Sequence, residues 1–91
     1  MISLEDCIAL CGLTEQEVLA IAEHEDVPEM AAAAIGRYLL KKPNGSGKIR
    51  DMIFDDIHDA LSRGDKEHAS ELVMVLRHFL ASHPEAQRSQ K

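Results

Sequence analysis

The residues of this chain whose types could do chemistry are its histidines, aspartates and cysteines. Asp55-x-x-His58 and Asp65-x-x-His68 echo the Glu-x-x-His pairs that hold di-iron centres inside helical bundles, because donors three residues apart share a helix face. The register works against a shared centre. At about 100° per residue, His58 points away from the apolar stripe of its own segment, and Asp65 stands at a helix start rather than within a helix. His58 therefore reads as a surface histidine. His68 borders the buried stripe beside Leu72, and is expected to be partly shielded with a neighbouring carboxylate as its hydrogen-bond partner. No metal and no cofactor are expected, with a metal-binding His/carboxylate domain kept as an alternative function.

Gly45-Ser46-Gly47-Lys48 has the small residues and the lysine of a phosphate cradle at a helix start. A Walker A loop also needs a glycine five residues before the Gly-Lys pair and a hydroxyl directly after it; Lys42 and Ile49 hold those places, and no strand precedes. Cys7 and Cys11 stack on one helix face without the geometry of a disulfide, and no further cysteine completes a metal set. They are expected to be buried, reduced thiols. Ser3 and Ser46 look like helix-start residues and neither cysteine adjoins a histidine, so no catalytic residue is assigned and no enzymatic activity is expected.

Asp51, Asp55 and Asp59 recur every four residues and form an acidic stripe beside His58. These residues are the candidate interaction surface. Lys48 precedes Asp51 by three and Arg63 follows Asp59 by four, which leaves Asp55 without a local partner. Such a face would draw a basic protein partner by long-range attraction. Composition points the same way: 16 acidic against 10 basic residues give a formal charge of -6, opposite in sign to a polyanion-binding footprint. Nucleic acid is not expected as a partner; another protein or a second copy of the chain is.

With 91 residues, 45% apolar and 29% charged, the chain suits one compact domain that buries roughly 60–65% of its unfolded surface. Residues 1–6 carry acids where a signal peptide needs lysine or arginine, and no apolar run approaches the ~20 residues of a membrane span. A cytoplasmic location without membrane association is expected.

The elements that must position these residues all read as helices. Ser3 and Asp6 form a capping-box variant, and Leu4, Cys7, Ile8 and Cys11 repeat at three and four before Gly12, which predicts a two-turn helix. Thr14 and Glu17 make a fuller capping box, with Leu13 and Val18 as a hydrophobic staple. That helix is expected to bury Val18, Leu19, Ile21 and Ala22, to face Glu17, Ala20 and His24 outward, and to end near Glu25. Asp26 is then expected as the N-cap of the next helix, with Pro28 in its first turn and Glu29 at its third position. The small-residue run from Met30 to Gly36 suits a central helix, closed by Tyr38, Leu39 and Leu40.

Lys41 to Gly47 is expected as the flexible internal connection. A helix over about 48–63 would bury Ile49, Met52, Ile53, Ile57, Ala60 and Leu61, with Gly64 ending it. Asp65 would cap the last helix, whose inward set is Ala69, Leu72, Val73, Leu76, Phe79 and Leu80. Residues 83–91 are expected as a frayed tail, which places the domain over 1–82. No segment shows the alternation of a strand. The expected fold is all-α, about five helices, with an antiparallel helical hairpin in the C-terminal half.

Gly12-Leu13-Thr14-x-x-Glu17-Val18-Leu19-Ala20 followed by Ala22-x-x-x-Asp26-Val27-Pro28 resembles the helix-turn-helix of phage-repressor-like domains. That resemblance implies a helix-turn-helix-like N-terminal half and, as an alternative function, a DNA-binding regulator. The sequence departs from the family pattern where Asp26 replaces the turn glycine. The would-be recognition helix presents Glu29, Met30 and alanines, with Arg37 its one cation before Lys41, so phosphates would meet acids. The opening from Leu4 to Thr14, with Ala22-Glu23-His24-Glu25, is also similar to small all-helical bacterial proteins of unknown function, which implies a bacterial origin and no activity. Taken together, these readings favour a small acidic interaction or regulatory module.

Overall fold

The computed structural model describes residues 12–88 together with Ser3 and Asp6. The helix expected over 4–11, with Cys7 and Cys11, lies outside the described residues; at its start, Asp6 N–H donates to Ser3 Oγ at 3.1 Å. The described chain is all-α, with four α-helices and no strand: α1 (Glu15–Glu25), α2 (Glu29–Leu40), α3 (Gly45–Ser62) and α4 (Lys66–Ser82), followed by a 3-10 turn (Pro84–Arg88). None of these helices is long and apolar enough to cross a membrane.

α1 begins where the capping box requires: Thr14 Oγ1 accepts from Glu17 N–H at 3.2 Å and Glu17 Oε1 accepts from Thr14 N–H at 2.9 Å. These bonds satisfy amides that no helical carbonyl can reach. α1 ends at Asp26, which adopts the left-handed conformation (φ 57°, ψ 52°) and sends its N–H back to Ala22 O. Asp26 thus closes α1 rather than capping α2, whose N-cap is Pro28 and whose first residue is Glu29. Aspartate is among the few residues with a Cβ that tolerate this conformation, so it stands in for the glycine usual at a helix end.

The Gly45-Ser46-Gly47 stretch is not a flexible connection. It is the buried first turn of α3. A Cβ at Gly45 would collide with the carbonyl of Leu39, so the start of α3 sits against the end of α2 at a distance that only glycine permits. Gly36 plays the same part inside α2, where a Cβ would strike the Leu13 side chain.

α3 and α4, joined through residues 63–65, form the most extensively packed pair; α1 packs on α2, α3 and α4, and α2 also packs on α3. Val18, Ile21, Ile49, Ile53 and Phe79 are fully buried at the centre, with Leu13, Leu72 and Leu76 around them. Because α1 has neighbours on several sides, its buried arc is rotated from the expected one: Glu17 and Ala20 are inside, and Leu19 is exposed. Leu61 and Val73, expected inward, lie at the outer edge of the α3/α4 contact and are 53% and 41% exposed.

The expected tail is also revised. Ala86 is fully buried, its carbonyl accepts from Arg50 Nη1 at 2.6 Å, and the Gln87 side chain donates to Leu80 O at 3.0 Å. The rings of Phe79 and His83 stack with centroids 4.5 Å apart. The packed body therefore continues through the 3-10 turn, because the small Ala86 side chain fits against α3 and α4.

Candidate functional site

The sequence-predicted surface lies on the outer side of α3, where Asp51, Asp55, His58 and Asp59 are all exposed. Each aspartate is paired within the chain. Asp51 Oδ1 accepts from Arg50 Nη2 at 2.8 Å, and Asp59 Oδ2 accepts from Arg63 Nε at 3.1 Å. Asp55, without a local partner in sequence, meets His24 of α1 through Oδ2 and Nε2 at 3.1 Å. Pairs this exposed hold little energy, about 0–1 kcal/mol each.

Behind the stripe, α1, α3 and α4 meet in a cluster of histidines and carboxylates. His24 bridges Asp55 and Glu25, the latter at 2.9 Å. His68, as expected, is half-buried and carboxylate-bound: Nε2 lies 2.8 Å from Glu23 Oε1 and Nδ1 lies 3.2 Å from Glu71 Oε1. Partial burial opposes charge on His24, but Glu25 and Asp55 outweigh it and raise its pKa. The same bonds from Glu23 and Glu71 raise His68 against a smaller burial effect. Two rings thus tie α1 to α3 and to α4.

Asp56 is the residue that sequence reasoning missed here. It is 5% exposed, and its Oδ2 has no hydrogen-bond partner. Burial first, then repulsion from Glu23, pushes its pKa up to about 7, with Asp55 and Asp59 adding and His24 opposing. Its place on the α1-facing side of α3 was legible only as a lone polar residue beside Ile57. Among the described residues no three His, Cys, Asp or Glu side chains are grouped as a metal ion requires. Ser46, buried in the first turn of α3, offers no open phosphate cradle.

A second missed feature lies on α4. Met74, 62% exposed, forms a ridge with Val73 between two clefts. The cleft toward α3, about 390 Å³, includes Ile57, Leu61, Lys66 and Val73. The cleft toward α1, about 450 Å³, is lined by Thr14, Gln16, Glu71, Met74, Val75 and His78. Through Gln16, Glu71 and Val75 it continues into a smaller cleft, about 220 Å³, that adds Leu19, Glu23 and His68. At the far end of this groove His78 Nδ1 lies 3.0 Å from Glu17 Oε2, and Glu17 is only 1% exposed. The Glu17 carboxylate already accepts from Thr14 N–H, so it holds the imidazole in one orientation. In the neutral ring, Nδ1 then carries the proton and Nε2 is left as an acceptor.

The exposed side of α2 presents Met30, Ala31, Ala34, Arg37 and Tyr38, and Lys42 lies over the Tyr38 ring at 4.7 Å. No family model, no curated protein and no solved structure matches the chain.

Proposed function

We propose that the protein is a small interaction module that regulates or tethers another protein by docking it along α4. The observation that carries this reading is the ridge of Val73 and Met74, large apolar side chains left in water with exposed Leu61 across one cleft, and flanked on both sides by mainly apolar clefts. Exposed apolar groups scattered singly need no explanation, but a contiguous set that borders a concave surface is what a docking site requires. Methionine suits such a site because its flexible, polarizable side chain adapts to the shape that meets it.

The acidic face of α3 supports the same reading. The helical register sets His58 between the exposed pair Phe54 and Leu61 on one side and the aspartates Asp51, Asp55 and Asp59 on the other. The apolar ridge therefore has a charged margin, although its aspartates are paired within the chain. A DNA-binding role finds less support, since the exposed side of α2 sets Arg37 as its one cation before Lys41 beside Met30, Ala31 and Ala34, which neutralise no phosphate.

The test compares the wild-type protein with Met74→Glu as baits in an extract of its native cells. Because Met74 is mostly exposed, the variant is expected to keep its thermal midpoint. A partner held by the wild type and lost by the variant supports docking along α4. Identical recovery by both baits overturns it.

A further inference from the structure

Given docking along α4, as proposed above, the geometry points to the groove between α1 and α4 as the seat of a basic amphipathic helix from a protein partner. The two sides of the Met74 ridge differ in charge. The α3-side cleft carries Lys66. Among the described residues, the joined clefts on the α1 side contain Glu23 and Glu71 and no lysine or arginine. His68 is shared between those two carboxylates at 2.8 and 3.2 Å and His78 is held by Glu17 at 3.0 Å, so the three carboxylates keep the groove net negative even when both rings are protonated.

The carboxylates along the groove are acceptors. Glu23 and Glu71 accept, and His78 is held from behind by Glu17. A ligand that satisfies them brings N–H donors, which are the chemistry of lysine and arginine. Its apolar side would lie on Leu19, Met74 and Val75, with buried Leu72 beneath them.

Size agrees with a helix. The groove follows α4 from His68 to His78, and ten residues of helix rise about 15 Å. A partner helix of roughly three turns would match that length and place its anchors at i, i+3, i+4 and i+7. A second copy of this chain is a poor occupant at long range, because each copy carries a formal charge of -6.

The experiment uses the full chain and three synthetic helices: an amphipathic Lys/Leu peptide, the same peptide with glutamate in place of lysine, and a Lys/Leu scramble without an apolar face. Binding is read from NMR shifts of the Leu19 methyls and His78 ring on the groove side, and of the Leu61 and Val73 methyls on the other. The Lys/Leu helix is expected to shift the groove reporters selectively. Its affinity should fall about fivefold or more in Glu71→Gln, and fall again as salt rises. The exposed position of Glu71 should leave the melting temperature of that variant near wild type.

Equal binding of the glutamate helix, indifference to Glu71→Gln, or shifts confined to Leu61 and Val73 would overturn the assignment while leaving docking along α4 intact. No response to any helix, together with identical partner recovery by the Met74→Glu bait, would remove both. Concentration-dependent dimerisation in sedimentation that shifts the groove reporters without peptide would make a second copy the occupant and overturn the basic-helix assignment.

Discussion

Glu17 Oε2 lies 3.0 Å from His78 Nδ1, so a carboxylate sealed within the fold holds a ring that stands largely in solvent. The same carboxylate closes the capping box of α1. Glu17→Ala should therefore remove two interactions at once and leave an empty space, at a cost of roughly 2–4 kcal/mol. Glu17→Gln keeps an acceptor for Thr14 N–H and should cost about 1 kcal/mol. Urea titrations of the two variants check the ordering. Equal losses would mean that the carboxylate bonds are not what matters at this position.

Asp56 and the two carboxylate-bound histidines make stability fall with rising pH. A carboxyl whose folded pKa of about 7 lies above its ordinary 3.8 holds its proton more tightly in the folded chain. Its contribution is present below the ordinary value and is lost as pH rises to about 7. His24 and His68, raised by their carboxylate partners, act in the same direction, losing their contribution as pH climbs through their raised values. The unfolding free energy should be larger near pH 5.5 than at about pH 8. Asp56→Asn should stabilise the protein at about pH 8 by roughly 1–4 kcal/mol and flatten the slope. A variant that is less stable than wild type at that pH contradicts this account of Asp56.

Two glycine substitutions separate steric from conformational demand. Gly45→Ala drives a methyl into the Leu39 carbonyl and should cost about 2 kcal/mol or more. Gly64, with φ of 76° and open space where its Cβ would be, should cost about 1 kcal/mol on change to alanine. Thermal melts of both variants decide it, and a harmless Gly45→Ala would mean that the ends of α2 and α3 do not meet as described.

Truncation after Ser82 tests the packed 3-10 turn. It removes buried Ala86 and the carbonyl that accepts from Arg50, and should cost roughly 1–3 kcal/mol. A frayed tail would be lost without effect on the urea midpoint.

The amino-acid sequence by itself determined the helical class, the capping box at Thr14 and Glu17, the cap at Asp65 and most of the core from Val18 to Phe79. These are local matters, in which a side chain bonds an amide three residues away or an apolar stripe repeats at the helical period. What only the tertiary structure decided is which helix faces meet. Periodicity defines a stripe but not how many neighbours a helix has, so Glu17 and Ala20 were read as outward and Leu61 and Val73 as inward. Nor does it show that the Leu39 carbonyl approaches Gly45, which turned a loop-like sequence into the first turn of α3. The acidic stripe at Asp51, Asp55 and Asp59 was legible because its spacing is local. The groove beside Met74 and the unpartnered Oδ2 of Asp56 were not, because a cleft and a desolvated carboxyl exist only where distant segments are brought together.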